Sequence, residues 1–115
     1  FDISVPLTKM DSYVRGGLDR LAAIPGCRAV VYGHIGDNNL HWNTTRLDAA
    51  GNAAIDAAIY GPLAELNGSV SAEHGIGLEK RGKLPLSRSP EELGAMRLIK
   101  RALDPDNRLN PGKIF

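Results

Sequence analysis

A single cysteine, Cys27, is present among 115 residues, so neither an internal disulfide nor a cysteine-rich metal cluster can form, and a reducing, cytoplasmic setting is expected. Aromatic residues are scarce, at 5%, and with no basic groove beside them they cannot build a base-stacking platform. Neither sign of charge dominates. Fourteen Lys and Arg stand against 13 Asp and Glu, and without a block of like charge the chain lacks the footprint of a nucleic-acid or acidic-membrane binder. Apolar runs fall short of the ~18 residues of a membrane span, and the amino terminus has no basic-then-apolar signal order. One domain, or part of one, is therefore expected, long enough to bury roughly two-thirds of its unfolded surface without staples.

Phe1 to Val5 alternates apolar and polar residues until Pro6, the period of a half-buried strand. A chain opening inside a strand is expected to continue a longer polypeptide. Thr8 can cap a helix whose apolar stripe is Met10, Val14, Leu18 and Leu21, stapled by Leu7, and Pro25-Gly26 ends it. Residues 28–45 read as a β-hairpin turning at Gly36-Asp37-Asn38-Asn39. Asp48 to Leu66 has helical spacing interrupted at Gly61-Pro62, and its alanines imply close packing. Ser69 to Ala72 reads as a short fourth strand leading into the glycine-rich loop Glu73-His74-Gly75-Ile76-Gly77. Ser89-Pro90-Glu91-Glu92 supplies an N-cap, a first-turn proline and a capping-box glutamate ahead of Leu93, Met96, Ile99 and Leu103. In the tail, Asn110-Pro111-Gly112-Lys113 forms a turn that Ile114-Phe115 can anchor to the body. This order predicts an α+β fold: a ferredoxin-like antiparallel sheet with helices packed on one face, then a carboxy-terminal helix and Pro/Gly tail.

Two of the three histidines, His34 and His41, lie on opposite arms of the hairpin. A two-residue turn at Asp37-Asn38 places them directly across the ladder, Cβ atoms ~4.5–5.5 Å apart, with Tyr32 and Asn43 on the same face and Ile35 and Leu40 turned to the core. Two readings remain open, a cross-strand polar pair and a shared metal ion. Glu73 can complete a set of two imidazoles and a carboxylate, leaving a coordination position open as catalytic metals require, with neighbouring His74 free as a base. The same loop also fits a capped surface turn. Arg46, Lys80, Arg81 and Lys83 can attract an anionic substrate or simply solvate a face. Gly75-Ile76-Gly77 is not a dinucleotide fingerprint, and Trp42 and Tyr60 read as core or rim aromatics.

Three ordered motifs, Gly33-His34-Ile35-Gly36-Asp37-Asn38-Asn39-Leu40-His41, Gly68-Ser69-Val70-Ser71-Ala72-Glu73-His74-Gly75-Ile76-Gly77, and Leu103-Asp104-Pro105 through Asn110-Pro111-Gly112-Lys113, together resemble the carboxy-terminal domain of FAD-linked oxidases. That group contains D-2-hydroxyglutarate dehydrogenase, flavin-linked D-lactate dehydrogenase and the flavoprotein subunit of glycolate oxidase, and the second motif is most similar to the 2-hydroxyglutarate branch. The resemblance implies His34, His41 and Glu73 as ligands of a divalent metal, with Zn²⁺ the leading candidate, His74 as catalytic base and substrate contact, and Asn43 as a substrate-carboxylate contact. It implies oxidation of a small D-2-hydroxy acid to the 2-oxo acid with hydride passing to FAD, and a further acceptor for the flavin's electrons. Asn38 stands where the family usually has Gly, a change the left-handed conformation tolerates. Residues 1–115 are then the substrate and metal portion of a larger enzyme, with the flavin-binding domain upstream, and are expected to be inactive alone. The rival expectations are a non-enzymatic ferredoxin-like binding domain, recognisable by the lack of stoichiometric metal, and a non-haem iron oxygenase site.

Overall fold

The structure, a computed structural model, describes residues 1–115. Its elements are β1 (Asp2–Ser4), α1 (Leu7–Ala22), β2 (Ala29–His34), β3 (Asn39–Thr44), α2 (Ala49–Tyr60), α3 (Leu63–Leu66) and α4 (Pro90–Leu103), with 3-10 turns at Ile35–Asp37 and Arg81–Leu86. The strands form an open antiparallel sheet in the order β1-β3-β2, giving the expected α+β architecture. The expected fourth strand is reduced to one antiparallel bridge, Ser4 to Ser69, at the edge of β1, the place the last strand of a split βαβ layer takes. It goes no further because Val70 donates its N–H to Ser87 Oγ (2.8 Å) and the next residues turn to wrap Asp2.

One face of the sheet carries the core. Ile3, Val5, Leu40 and Trp42 pack against Tyr13 and Leu21 of α1, Ile55, Ala58, Ile59 and Tyr60 of α2, and Leu63 and Val70. Tyr13 meets the Trp42 ring edge-on at 6.0 Å and donates its hydroxyl to the Ile59 carbonyl (2.7 Å), tying both helices to the sheet. Burial pushes the Tyr60 phenol up to about 12, with the nearby Asp56, Asp2 and Glu79 carboxylates adding to the shift.

Three helical details differ from the sequence reading. In α1, Tyr13, Gly17 and Leu21 point inward while Leu7 and Leu18 are exposed, and Pro6 takes the N-cap position in place of Thr8. The cause is Trp42: a Cβ on Gly17 would sit 2.7 Å from the indole Cη2, so the helix turns its glycine to the ring. In α2, Asp48 caps the first turn and the helix ends before Gly61-Pro62 as expected, but Ala53, Ala54 and Ala57 face outward. The larger Ile55, Ile59 and Tyr60 occupy the core because they remove more apolar surface from water. The Ser89–Glu92 capping box of α4 forms as expected, yet only Leu93 is buried, and Ile99 and Leu103 are exposed. The tail is anchored as expected: Ile114 N–H donates to the Gly77 carbonyl (3.0 Å), Arg81 holds the Gly112 carbonyl (2.9 Å), and Arg97 lies over the Phe115 ring. No helix is long and apolar enough to cross a membrane.

The two adjacent glycines of α1 should respond oppositely to alanine. Gly16→Ala approaches only the guanidinium tip of Arg20, at 3.0 Å, and should gain about 0.5–1 kcal/mol from helix propensity. Gly17→Ala collides with buried Trp42, and overpacking of about 1–3 kcal/mol should outweigh that gain. Urea unfolding midpoints of the two variants check the difference in sign.

Candidate metal and substrate site

The opposite face of the sheet is polar, as the strand period requires. The hairpin register differs from the expected one. Ile35–Asp37 forms a 3-10 turn closed by Asn38 in the left-handed conformation (φ 64°), so the ladder ends at His34 opposite Asn39, and His41 faces Tyr32. The direct His34–His41 pairing is thus corrected by two residues. An even offset leaves every strand side chain on its expected face, and the His34 and His41 rings still meet edge-on, 5.4 Å between centroids. Ile35, in the turn, is 70% exposed and does not reach the core, whereas Leu40 does. The Tyr32 ring lies 5.3 Å from that of His41, and its hydroxyl accepts a hydrogen bond from Asn43 Nδ2 (3.4 Å).

On the other side of β3, His41 faces Asp2 of β1. Asp2 is 1% exposed and accepts from the N–H groups of Ala72 (3.1 Å), Glu73 (3.2 Å) and His74 (3.0 Å), from Ser71 Oγ (2.8 Å) and from Lys80 Nζ (3.1 Å). Burial alone would raise its pKa. The hydrogen bonds from the His74 N–H, the Ser71 hydroxyl, Lys80 and the Glu73 N–H overcome burial and hold the carboxyl well below the usual range. Lys80 also donates to the Asp2 carbonyl (2.9 Å).

The loop so held brings Glu73 Oε1 to 3.1 Å from His41 Nε2 and 3.6 Å from His74 Nε2. Donor atoms of Asp2, His41, Glu73 and His74 all lie within 4.8 Å of one another. Two imidazoles and a carboxylate form a donor set suited to Zn²⁺ or Fe²⁺. Asp2 does not belong to it, because five donors already occupy a carboxylate with about four lone-pair sites. His34 stands outside this group, beside His41. His74 borders a cleft of about 360 Å³ shared with Asp2, Asp56, Tyr60 and Lys80. Of the four cations singled out from the sequence, Lys80 is tied to Asp2, Lys83 to Asp56 (2.8 Å) and Arg81 to the tail, while Arg46 is exposed. Sequence reasoning missed Asp2 as a site residue. Its one signal is a charged residue beside Ile3 in a strand, necessarily on the face away from the core.

The chain is similar to known proteins along almost its whole length. The family of FAD linked oxidases, C-terminal domain, matches residues 1–114. D-2-hydroxyglutarate dehydrogenase of Xanthomonas citri pv. viticola is 43% identical over 122 residues, covering 99% of this chain and 26% of that protein. The Stutzerimonas stutzeri protein of the same name is 38% identical over 123 residues, with 99% and 26% covered. The mitochondrial D-2-hydroxyglutarate dehydrogenase of Bos taurus is 41% identical over 118 residues, covering 100% of the chain and 21% of its own length. The chain thus spans about a quarter of the length of the curated relatives it matches.

The depressed pKa of Asp2 fixes the sign of a pH effect. Its stabilisation is complete above the unfolded-chain value near ~3.9 and is lost as pH falls from there toward the folded value. Asp2→Asn should cost about 3 kcal/mol or more at neutral pH. Urea unfolding of both proteins should show this gap constant from pH 7 to 5 and narrowing by about 1.4 kcal/mol per pH unit below 4.

Proposed function

The chain belongs to the FAD-linked oxidase C-terminal domain family, and from that premise we propose that it forms the substrate and metal side of an FAD-dependent oxidoreductase converting a D-2-hydroxy acid to the 2-oxo acid. The observation that carries the reading is the approach of Glu73 from a distant loop to His41 on the central strand. His41 and Glu73 hold a divalent ion, Zn²⁺ in the first instance, with His34 from the same sheet face as third ligand. A divalent ion there would polarise a substrate hydroxyl and lower its pKa. FAD, when bound, supplies the two-electron hydride-accepting chemistry that no side chain here provides.

The remaining roles belong to the protein. His74 Nε2 accepts the hydroxyl proton, a task suited to an imidazole near neutral pH. Its side chain is 62% exposed and borders an open cleft, so a substrate can reach it. Asn43 Nδ2, oriented by the Tyr32 hydroxyl, donates to a substrate carboxylate. Because the relatives are about four times longer, the chain alone is expected to bind metal and not to turn over.

The compact grouping of His41, Glu73 and His74 favours a second reading in which His74 replaces His34 as ligand. Substitutions separate the two. In the flavoprotein that carries this chain, Glu73→Gln and His41→Ala should empty the site, measured by plasma emission. Under the first reading His74→Ala keeps metal and loses about 10²–10⁴-fold in flavin reduction by a D-2-hydroxy acid, while His34→Ala loses metal. The reverse pattern establishes the second reading, and stoichiometric metal in none of the proteins, wild type included, would leave a non-enzymatic binding domain.

A further inference from the structure

We propose that Asp2 is the positioning residue of this site: its buried carboxylate gathers the backbone of Ala72, Glu73 and His74 so that the Glu73 side chain meets His41. The proposal rests on the reading of His41 and Glu73 as metal ligands. Four observations lead to it. Pairing of β1 with β3 fixes Asp2 directly opposite His41, on the same face of the sheet. Three consecutive N–H groups of the distant loop converge on that one carboxylate at 3.0–3.2 Å, an anion-binding nest whose anion is supplied by the chain itself. Residues 72–74 make no other backbone hydrogen bond, whereas residues 75–77 are held separately by Ser71 Oγ, Lys80 N–H and Ile114 N–H. The Glu73 and His74 side chains are 47% and 62% exposed, and Gly75 and Gly77 follow with positive φ, at 78° and 54°. Finally, Lys80 bonds the Asp2 carboxylate, its carbonyl and Ser71 Oγ (3.1 Å), neutralising the charge and locking strand to loop.

Asp2 acts without touching metal or substrate. Its work is to fix the point from which Glu73 reaches, so its loss should weaken metal binding while the ligands themselves remain. Groups that orient metal ligands typically contribute 10–100-fold in affinity. Asn at position 2 retains the shape but presents an NH2 group and no negative charge to the converging donors.

The test is the Zn²⁺ dissociation constant, by competition with a chromogenic chelator, in the metal-stripped flavoprotein that carries this chain. Asp2→Asn should bind Zn²⁺ about 10–100-fold more weakly, keep its FAD, and recover most of its turnover when Zn²⁺ is raised to saturation. Glu73→Gln, lacking a ligand, should recover none. The melting temperature falls in either case; a merely structural role would lower FAD content as well and give no rescue by metal, which would overturn the proposal. Wild-type affinity in Asp2→Asn alongside loss of affinity in Glu73→Gln overturns this proposal and spares the ligand reading; wild-type affinity in both overturns the two together. Should Asp2→Asn fail to fold, Ser71→Ala removes one donor to the same carboxylate: weakened Zn²⁺ binding supports the proposal, and unchanged binding overturns it.

Discussion

The buried carboxylate of Asp2 extends the contact between β1 and the distant loop beyond the Ser4–Ser69 bridge, and alone holds the backbone of residues 72–74. Residues 2 and 72–74 are some seventy positions apart, and closing a loop of that length has an entropic cost that grows only slowly with length. Charge-assisted hydrogen bonds in a site shielded from water are strong enough to offset it. The two ends have different characters: β1 is zipped to β3 and rigid, while the 71–77 segment has no regular structure. The carboxylate therefore transmits the order of the sheet to the loop, and with it the position of Glu73.

β3 is the element on which core and site meet. Its adjacent residues His41 and Trp42 point to opposite faces, as strand geometry demands. Trp42, 1% exposed, is clamped between Tyr13 and the notch left by Gly17, so β3 cannot slide without driving the indole into α1. A one-residue slip would also carry His41 into the core. Packing on the helical face thus fixes the coordinates of an imidazole on the polar face, where Asp2 and Tyr32 flank it. An antiparallel sheet covered on one side leaves the other free for such chemistry.

Much of this was legible in the sequence wherever the signal is local. The Ser89–Glu92 capping box, the break at Gly61-Pro62, the left-handed Asn38 and the anchored tail follow from residue chemistry within a few positions. The polar face survived an error in register, because the 3-10 turn lengthened the hairpin loop by an even number of residues. Ile35 was lost to that turn. Where tertiary packing decides, local rules held only in part: Leu21 of α1 is buried as its stripe requires, but Trp42 draws Gly17 inward while Leu18 is exposed, and α2 buries its isoleucines in preference to most of its alanines. Asp2 was illegible as a site residue for the same reason. Its partners are backbone groups of a remote loop, and backbone N–H groups leave no mark in a sequence.

The most direct test of this arrangement is anomalous diffraction at the zinc edge from crystals of this chain soaked with Zn²⁺. The expected result is one strong peak about 2.0–2.2 Å from both His41 Nε2 and a Glu73 carboxylate oxygen, with Asp2 outside the coordination shell and still accepting from the N–H groups of residues 72–74. A peak that includes an Asp2 oxygen among its ligands, or one remote from His41 and Glu73, would contradict it.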